Sequence, residues 1–483
     1  MMAVASELAS FVAGEWRRGT AEGTDTNPAR PSEILASVRL ADARVAVDAV
    51  LAAGAALPGW AGLPAPSRGE ILRAAGDILD TRAENIGRDL TREEGKTIGE
   101  AVREVRWAAN ILRYHAAQTL DPDGETLPST RPTTHVFTKR EPLGVITAIT
   151  PWNFPVSIPA WKISPALAFG NTVVWKPAEI VPLSAVHFLS ALVDAGLPAG
   201  VLDLVLGRSA DVGDVIASHP GVNGVSFTGS TAVGRAIQAR ATSAGKKVQL
   251  EMGGKNPLIV LADADLDLAA EATARGAFMS CGQKCTSTGR VIVERSVLAG
   301  FLDRLTARAD AMKLGDPLEA DTVLGPVSSG EQRSKVLGFI ERARAEGAKT
   351  VTAEARPGSP ADGYFVRPSV LVDVRPEQEV ARDEVFGPVA PVIAVGSYEE
   401  AIAIANDTRY GLTASLFTTD LRRAMRFTRE SQAGVVLVNQ ETAGVEYYAP
   451  FGGVKDSGAG SRERGNSARD FNTELKTVYV NFP

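Results

Sequence analysis

The chain has 483 residues, too many for one ordinary hydrophobic core, so two or three domains are expected. Its 45% hydrophobic and 22% charged residues suit a soluble globular protein, and a net charge of −6 argues against a polyanion-binding surface, so no nucleic-acid partner is expected. Two cysteines exclude a disulfide framework, and Cys281, Cys285, His115, His135, His187 and His219 have no metal-ligand spacing, so no metal is expected. There is no apolar run of about eighteen residues and no basic segment leading into an apolar one. Neither a membrane span nor a signal peptide is predicted, and a reducing cytoplasm fits a chain with a reactive thiol.

Taken along the chain, residues 40–119 read as a helical region that packs onto the sheet formed after residue 143. Residues 134–139, inside a segment of 125–142, alternate like an exposed strand. From 143 to 251, short apolar runs (144–149, 172–175, 201–206, 222–227 and 248–251) read as strands, with helical periodicity at 183–195 and 231–242 between them. That alternation predicts an α/β fold with a parallel sheet covered by helices and ligands at the C-terminal strand ends. Residues 257–456 start a second α/β unit, with strands at 260 and 291–293, helices at 297–311 and 333–345, and a turn-rich surface loop at 354–363. The tail 476–482 alternates like 134–139, and two such unpaired edges are a liability unless another subunit covers them.

Three strings carry chemistry. In Gly282-Gln283-Lys284-Cys285-Thr286-Ser287 a thiol sits among polar residues, an unlikely core sequence, whereas an isolated cysteine is ordinarily a buried small hydrophobe. Cys281 has that structural reading. Cys285 needs a lowered pKa to attack a carbonyl, and the adjacent Lys284 is a candidate to supply it. In Glu251-Met252-Gly253-Gly254-Lys255 a carboxylate runs from apolar Leu250 into a glycine turn, the setting of a base acting on water rather than of a solvated surface group. In Pro151-Trp152-Asn153-Phe154-Pro155 an amide among aromatics needs a partner, which suits an oxyanion donor better than an ordinary turn asparagine. Together these supply what oxidising an aldehyde through a thioester needs.

These strings resemble the aldehyde dehydrogenase superfamily. The resemblance runs from Phe11-Val12-Ala13-Gly14-Glu15-Trp16 to Pro450-Phe451-Gly452-Gly453-Val454-Lys455-Asp456-Ser457-Gly458-Ala459-Gly460, with Met252 where the family usually has leucine. It implies Cys285 as nucleophile, Glu251 as general base for thioester hydrolysis, and Asn153 with the Cys285 N–H as oxyanion donors. It also implies a Rossmann-type NAD(P)-binding domain (1–124 and 143–256), a catalytic domain (257–456) and a small β oligomerisation element (125–142 and 470–483), hence a homodimer or homotetramer. A GxGxxG fingerprint is absent. Phe227-Thr228-Gly229-Ser230-Thr231-Ala232-Val233-Gly234 stands between a strand and a helix, whose N-terminus favours a phosphate. By the same resemblance Gly229, Ser230 and Gly234 join Trp152 in holding NAD or NADP. Lys176 and Glu179 take the adenosine ribose, and Glu384 and Phe386 the nicotinamide end. Glu179 favours NAD by repelling a 2′-phosphate, while Arg208 would offset that, so dual use is expected.

The segments around Cys285 and Thr442-Ala443-Gly444-Val445-Glu446-Tyr447 are most similar to the family's α-ketoglutaric semialdehyde (2,5-dioxopentanoate) dehydrogenases, although Tyr448-Ala449 before Pro450 departs from the expected pairing. A broad-range or succinate-semialdehyde enzyme is the alternative. Trp107, Trp161 and Phe451 are expected as apolar walls, with Thr286 and Val445 beside them. Lys284 and Arg290 are candidates to meet the substrate's carboxylate, which cannot be buried unpaired. An acylating enzyme using coenzyme A would lack Glu251, and a non-catalytic relative would lack Cys285, Glu251 or Asn153.

Overall fold

The computed structural model describes residues 7–353 and 362–482. Apolar runs that alternate with amphipathic segments fold as two mainly parallel sheets with helices packed against them. In the first sheet the strands Lys247–Glu251, Gly224–Thr228, Val145–Ile149, Thr172–Lys176 and Leu202–Leu204 lie side by side and parallel. Their near-continuous burial is what a sheet covered on both faces demands. The second sheet has Asn256–Val260, Thr288–Glu294, Val389–Val395, Thr413–Phe417 and Val435–Val438 as its principal parallel strands. The chain passes between the two sheets within five residues, from Glu251 to Asn256, and Gly458–Gly460 returns to pair antiparallel with Lys247–Glu251.

The region 40–119 forms four helices, Ala43–Gly62, Ala65–Thr81, Ala83–Glu94 and Ile98–Gln118. Local chemistry sets their ends: the Asp42 side chain accepts the Val45 N–H, left-handed Gly95 ends the third, and Thr97 with Glu100 makes a reciprocal capping box on the fourth. Ala43–Gly62 is long and apolar enough to cross a membrane. It carries Arg44 and Asp48, however, and its Val45–Ala46–Ala49–Val50–Ala53 face belongs to the same buried cluster as Val145, Val174 and Val205 of the first sheet.

Two differences from the sequence reading stand out. The first forty residues contain the strands Glu7–Val12, Glu15–Arg17, Ala21–Asn27 and Arg30–Leu40, which extend the first sheet. Polar stretches such as AEGTDTN gave no strand signal because tertiary pairing, not local alternation, makes them strands. The two expected exposed strands also pair with each other. Thr473–Asn481 runs antiparallel to Thr134–Pro142 along its whole length, and Thr126–Leu127 covers the other edge. Among the described residues the Thr473–Asn481 edge stays open, with Leu475 and Tyr479 on the strand and Phe482 just after it exposed. Of the expected loop 354–363, residues 354–361 lie outside the described residues.

Candidate active site

Cys285 follows an unusual backbone. Ser280, Cys281 and Gly282 have consecutive positive φ values of 54°, 53° and 65°, a conformation L-residues hold only when neighbours impose it. The neighbours are identifiable. Glu100 accepts the Ser280 N–H at 2.9 Å and its hydroxyl at 3.0 Å, Cys281 Sγ donates to Gly325 O, and a Cβ on Gly282 would stand 2.2 Å from Gly387 O. Cys281 is buried in an apolar cluster with Val327, Val336 and Val385, as its structural reading predicted. Beyond the turn, Asn256 Nδ2 donates 2.8 Å bonds to Cys285 O and Ser287 O, and the Thr442 hydroxyl donates to Thr286 O at 2.7 Å.

Asn153 is buried and Nδ2 donates to Gln283 O at 2.9 Å, which ties its turn to the Cys285 loop. Its own carbonyl accepts from Lys96 Nζ at 2.7 Å. Lys96 in turn is paired with Glu104 at 2.5 Å, and Glu104 accepts the Val156 and Ser157 N–H groups. This buried pair braces the 153–157 turn, and no local signal in a helical region full of charges distinguishes it.

Glu251 ends its strand on Gly253-Gly254, where space is tight: a Cβ on Gly253 would displace the Glu384 carboxylate, with Oε2 at 2.5 Å, and one on Gly254 would meet the backbone Cys285 O at 2.7 Å. The Glu251 carboxylate turns toward Gly452 and Gly453, and Oε2 has no hydrogen-bond partner among the described residues. Burial, and then repulsion from Glu463, raises it well above the usual carboxylate range, against the pull of Lys162. Lys162 is ion-paired to Glu463 and also donates to Ser226 Oγ at 3.1 Å. The Cys285 thiol is pushed up to about 12 by burial and by Glu384 and Glu251; Arg464 pulls the other way. Lys284, the expected helper, instead donates to Arg275 O at 3.2 Å.

Two cavities meet at Cys285. One, of about 410 Å³, is lined by Trp107, Phe154, Trp161, Lys284, Thr286, Val445, Phe451 and Arg464, so it gathers every residue expected around the substrate except Arg290. Arg290 is corrected to a brace: its guanidinium donates to Lys255 O, Ile404 O and Ala405 O, and it faces neither cavity. The other, of about 220 Å³, is lined by Trp152, Asn153, Gly229, Ser230, Glu384 and Phe386, with the Trp152 and Phe386 rings edge-to-face at 5.4 Å. Gly234 lies outside it. A Cβ there would strike Met252 Sδ at 2.4 Å, so this glycine lets its helix pack against the strand end. Lys176 and Glu179 also lie outside it, Lys176 as the last residue of the strand next to the one leading to Trp152 and Glu179 three residues beyond. Burial lowers the Lys176 ammonium, which donates to Pro177 O, while exposed Glu179 accepts the Ser209 N–H at 2.7 Å. Arg208, exposed, precedes the helix Ser209–Ser218 there.

Cys285 thus lines both cavities, and the second of them opens where parallel strands reach their C-terminal ends. The profile of the Aldehyde dehydrogenase family matches residues 16–478. The chain belongs to the aldehyde dehydrogenase family. It is 44% identical to an α-ketoglutaric semialdehyde dehydrogenase of Bacillus subtilis, covering 98% of this chain and 97% of the relative. It is 41% identical to a 2,5-dioxopentanoate dehydrogenase of Saccharolobus solfataricus, covering 97% and 98%. Its fold matches a betaine aldehyde dehydrogenase of Staphylococcus aureus crystallised with NAD+, at a TM-score of 0.94 and 34% identity, over 98% of this chain and 94% of that one. The enzyme is thus an oxidoreductase with the aldehyde dehydrogenase fold.

Proposed function

We propose that this enzyme oxidises α-ketoglutaric semialdehyde to 2-oxoglutarate through a Cys285 thioester with NAD or NADP. The observation that carries the reaction class is the position of Cys285 on the wall shared by the two cavities, so that one thiol faces both a substrate pocket and a second site. The second site fits a dinucleotide: it lies where adjacent parallel strands end, Ser230 caps the helix Thr231–Ser243 there, and Trp152 and Phe386 offer flat walls. When bound, NAD(P)+ supplies the hydride acceptor. Gly229 and Ser230 would hold its phosphates, Lys176 and Glu179 its adenosine ribose, and Glu384 its nicotinamide ribose.

The chain's own residues do the rest. Cys285 gives up its proton to water, the thiolate Sγ adds to the aldehyde carbon, and Asn153 Nδ2 with the Cys285 N–H stabilises the oxygen that becomes negative. Once the carbon is oxidised the acyl group is a thioester, and Glu251 takes the proton of the water that hydrolyses it. The Glu251 carboxylate, beside Gly452 and Gly453, is near enough to Cys285 to raise the thiol. Residues 257–456 serve as the catalytic domain and 1–124 with 143–256 as the cofactor domain. The segments 125–142 and 470–483 join subunits into a homodimer or homotetramer in the cytoplasm, through the open Thr473–Asn481 edge. The substrate reading is supported by the similarity to the two semialdehyde dehydrogenases above. Its test is a comparison of kcat/KM for 2,5-dioxopentanoate, succinate semialdehyde and hexanal. Preference for the first by about 10-fold or more is expected, and equal values for hexanal and 2,5-dioxopentanoate would leave a general aldehyde scavenger.

A further inference from the structure

Arg464 is a buried cation whose surroundings do not account for it. It is 3% exposed, and its φ of 60° and ψ of 172° belong to a region that L side chains rarely occupy. Its guanidinium carbon lies 3.7 Å from the Trp161 ring centroid and 4.3 Å from that of Phe451, so two aromatic rings hold it. Nε and Nη1 are buried without a hydrogen-bond acceptor among the described residues, and the adjacent Glu463 is paired with Lys162.

Structural arginines in this chain look different. Arg290 gives its donors to three backbone carbonyls, and Arg68 donates to Ala168 O and Leu63 O. Activation of the thiol is also a poor explanation, because Cys285 stays at about 12 with Arg464 in place. What distinguishes Arg464 is that it lines the 410 Å³ cavity together with Cys285. The cavity's other cations are engaged or peripheral. Lys284 is bound to Arg275 O, Arg275 is 3.5 Å from Glu441, and Arg103 is exposed.

We propose that Arg464 reads the charge of the substrate: its guanidinium pairs with the carboxylate of an aldehyde acid held on Cys285, and by occupying the faces of Trp161 and Phe451 it bars cationic aldehydes. This rests on the semialdehyde reading and names the group that enforces it. A planar fork with unused donors suits a carboxylate, particularly one flanked by a 2-oxo group, and an aromatic cage already filled by a guanidinium has no open face for a quaternary ammonium. Arg464 is therefore a specificity residue, and its loss should act on KM for acids more than on kcat.

The test uses the full-length enzyme with saturating NAD+, comparing wild type, Arg464→Gln and Arg464→Lys on 2,5-dioxopentanoate, succinate semialdehyde, hexanal and betaine aldehyde. In Arg464→Gln the kcat/KM ratio of acid to neutral aldehyde should fall about 10- to 100-fold, mainly through KM, and betaine aldehyde should gain relative to hexanal. Arg464→Lys should keep part of the preference. If acid and neutral substrates lose equally, Arg464 is a structural residue and the proposal fails while the semialdehyde reading stands. If wild type prefers other carboxylated aldehydes over 2,5-dioxopentanoate, and that preference needs Arg464, the substrate reading fails and the proposal stands. No acid preference in wild type overturns both. A measurement independent of variant folding uses wild type alone: glutarate should slow iodoacetamide alkylation of Cys285 and choline should not. Absence of glutarate protection overturns the proposal.

Discussion

Replacing Gly282 by alanine tests whether the strained turn before the nucleophile is held as described. Two costs add. The residue sits at φ 65°, where an L side chain costs about 1–2 kcal/mol. The new Cβ would also stand 2.2 Å from Gly387 O and 2.8 Å from Ala277 O, both backbone atoms that cannot rotate away, and overpacking of that kind costs about 1–3 kcal/mol more. Gly196→Ala separates the two, because Gly196 has φ 92° with nothing within 4 Å of its Cβ position. Urea unfolding should therefore show a loss of about 1–2 kcal/mol for Gly196→Ala and about 2–5 kcal/mol for Gly282→Ala. Because Gly282 lies three residues before Cys285, the same displacement should lower kcat about 100-fold, whereas Gly196→Ala should leave turnover intact. Equal destabilisation by the two variants, or normal turnover of Gly282→Ala, would refute the Gly387 contact and the rigidity of the loop.

The same geometry sets the outcome of other perturbations. Cys285→Ala should abolish oxidation while cofactor still binds, and Cys281→Ala should stay active with some loss of stability; a dead Cys281 variant beside an active Cys285 variant would reverse the assignment. Glu251→Gln should give a burst of about one NAD(P)H per site and then stall, and normal steady-state turnover would remove Glu251 as the base. Because burial and nearby carboxylates raise the Cys285 thiol to about 12, the thiolate forms only as pH rises. Alkylation of the free enzyme should therefore accelerate about tenfold per pH unit through pH 9, and a plateau below pH 8 would contradict those electrostatics. Asp203, raised to about 7 by burial despite the Ala13 N–H it accepts, binds a proton in the folded state that it lacks unfolded above pH 4. Its contribution, up to about 4 kcal/mol, should be fully present below pH 4 and lost as pH rises through 7. Asp203→Asn should flatten the pH 4–7 dependence of the urea midpoint, and an unchanged profile would clear Asp203. For the cofactor, Glu179 predicts use of NAD with some tolerance of NADP, and a thousandfold NADP preference in kcat/KM would show that repulsion from its carboxylate is not felt.

The sequence by itself determined what depends on near neighbours. Strand-helix alternation over 143–251 comes from backbone periodicity, and the strings around Asn153, Glu251 and Cys285 are legible because each packs its chemistry into a few adjacent residues. Folding decided everything that depends on burial and on contacts across long stretches of chain. Glu100 and Glu104 look like ordinary helix-surface carboxylates, yet one restrains Ser280 and the other, through Lys96, steadies the Asn153 turn. Residues 134–139 and 476–482 each read as an unpaired edge, and only the folded chain pairs them, as the strands Thr134–Pro142 and Thr473–Asn481. Arg290 and Arg464 make the point most directly. They are the same residue type, both almost fully buried, and the sequence favoured Arg290 because it lies near the nucleophile. Three carbonyls consume the donors of Arg290, whereas Arg464 is held between two rings beside the cavity with Nε and Nη1 unmatched among the described residues. Whether a charge is satisfied is a property of the atoms that fold around it, and proximity along the chain does not encode it.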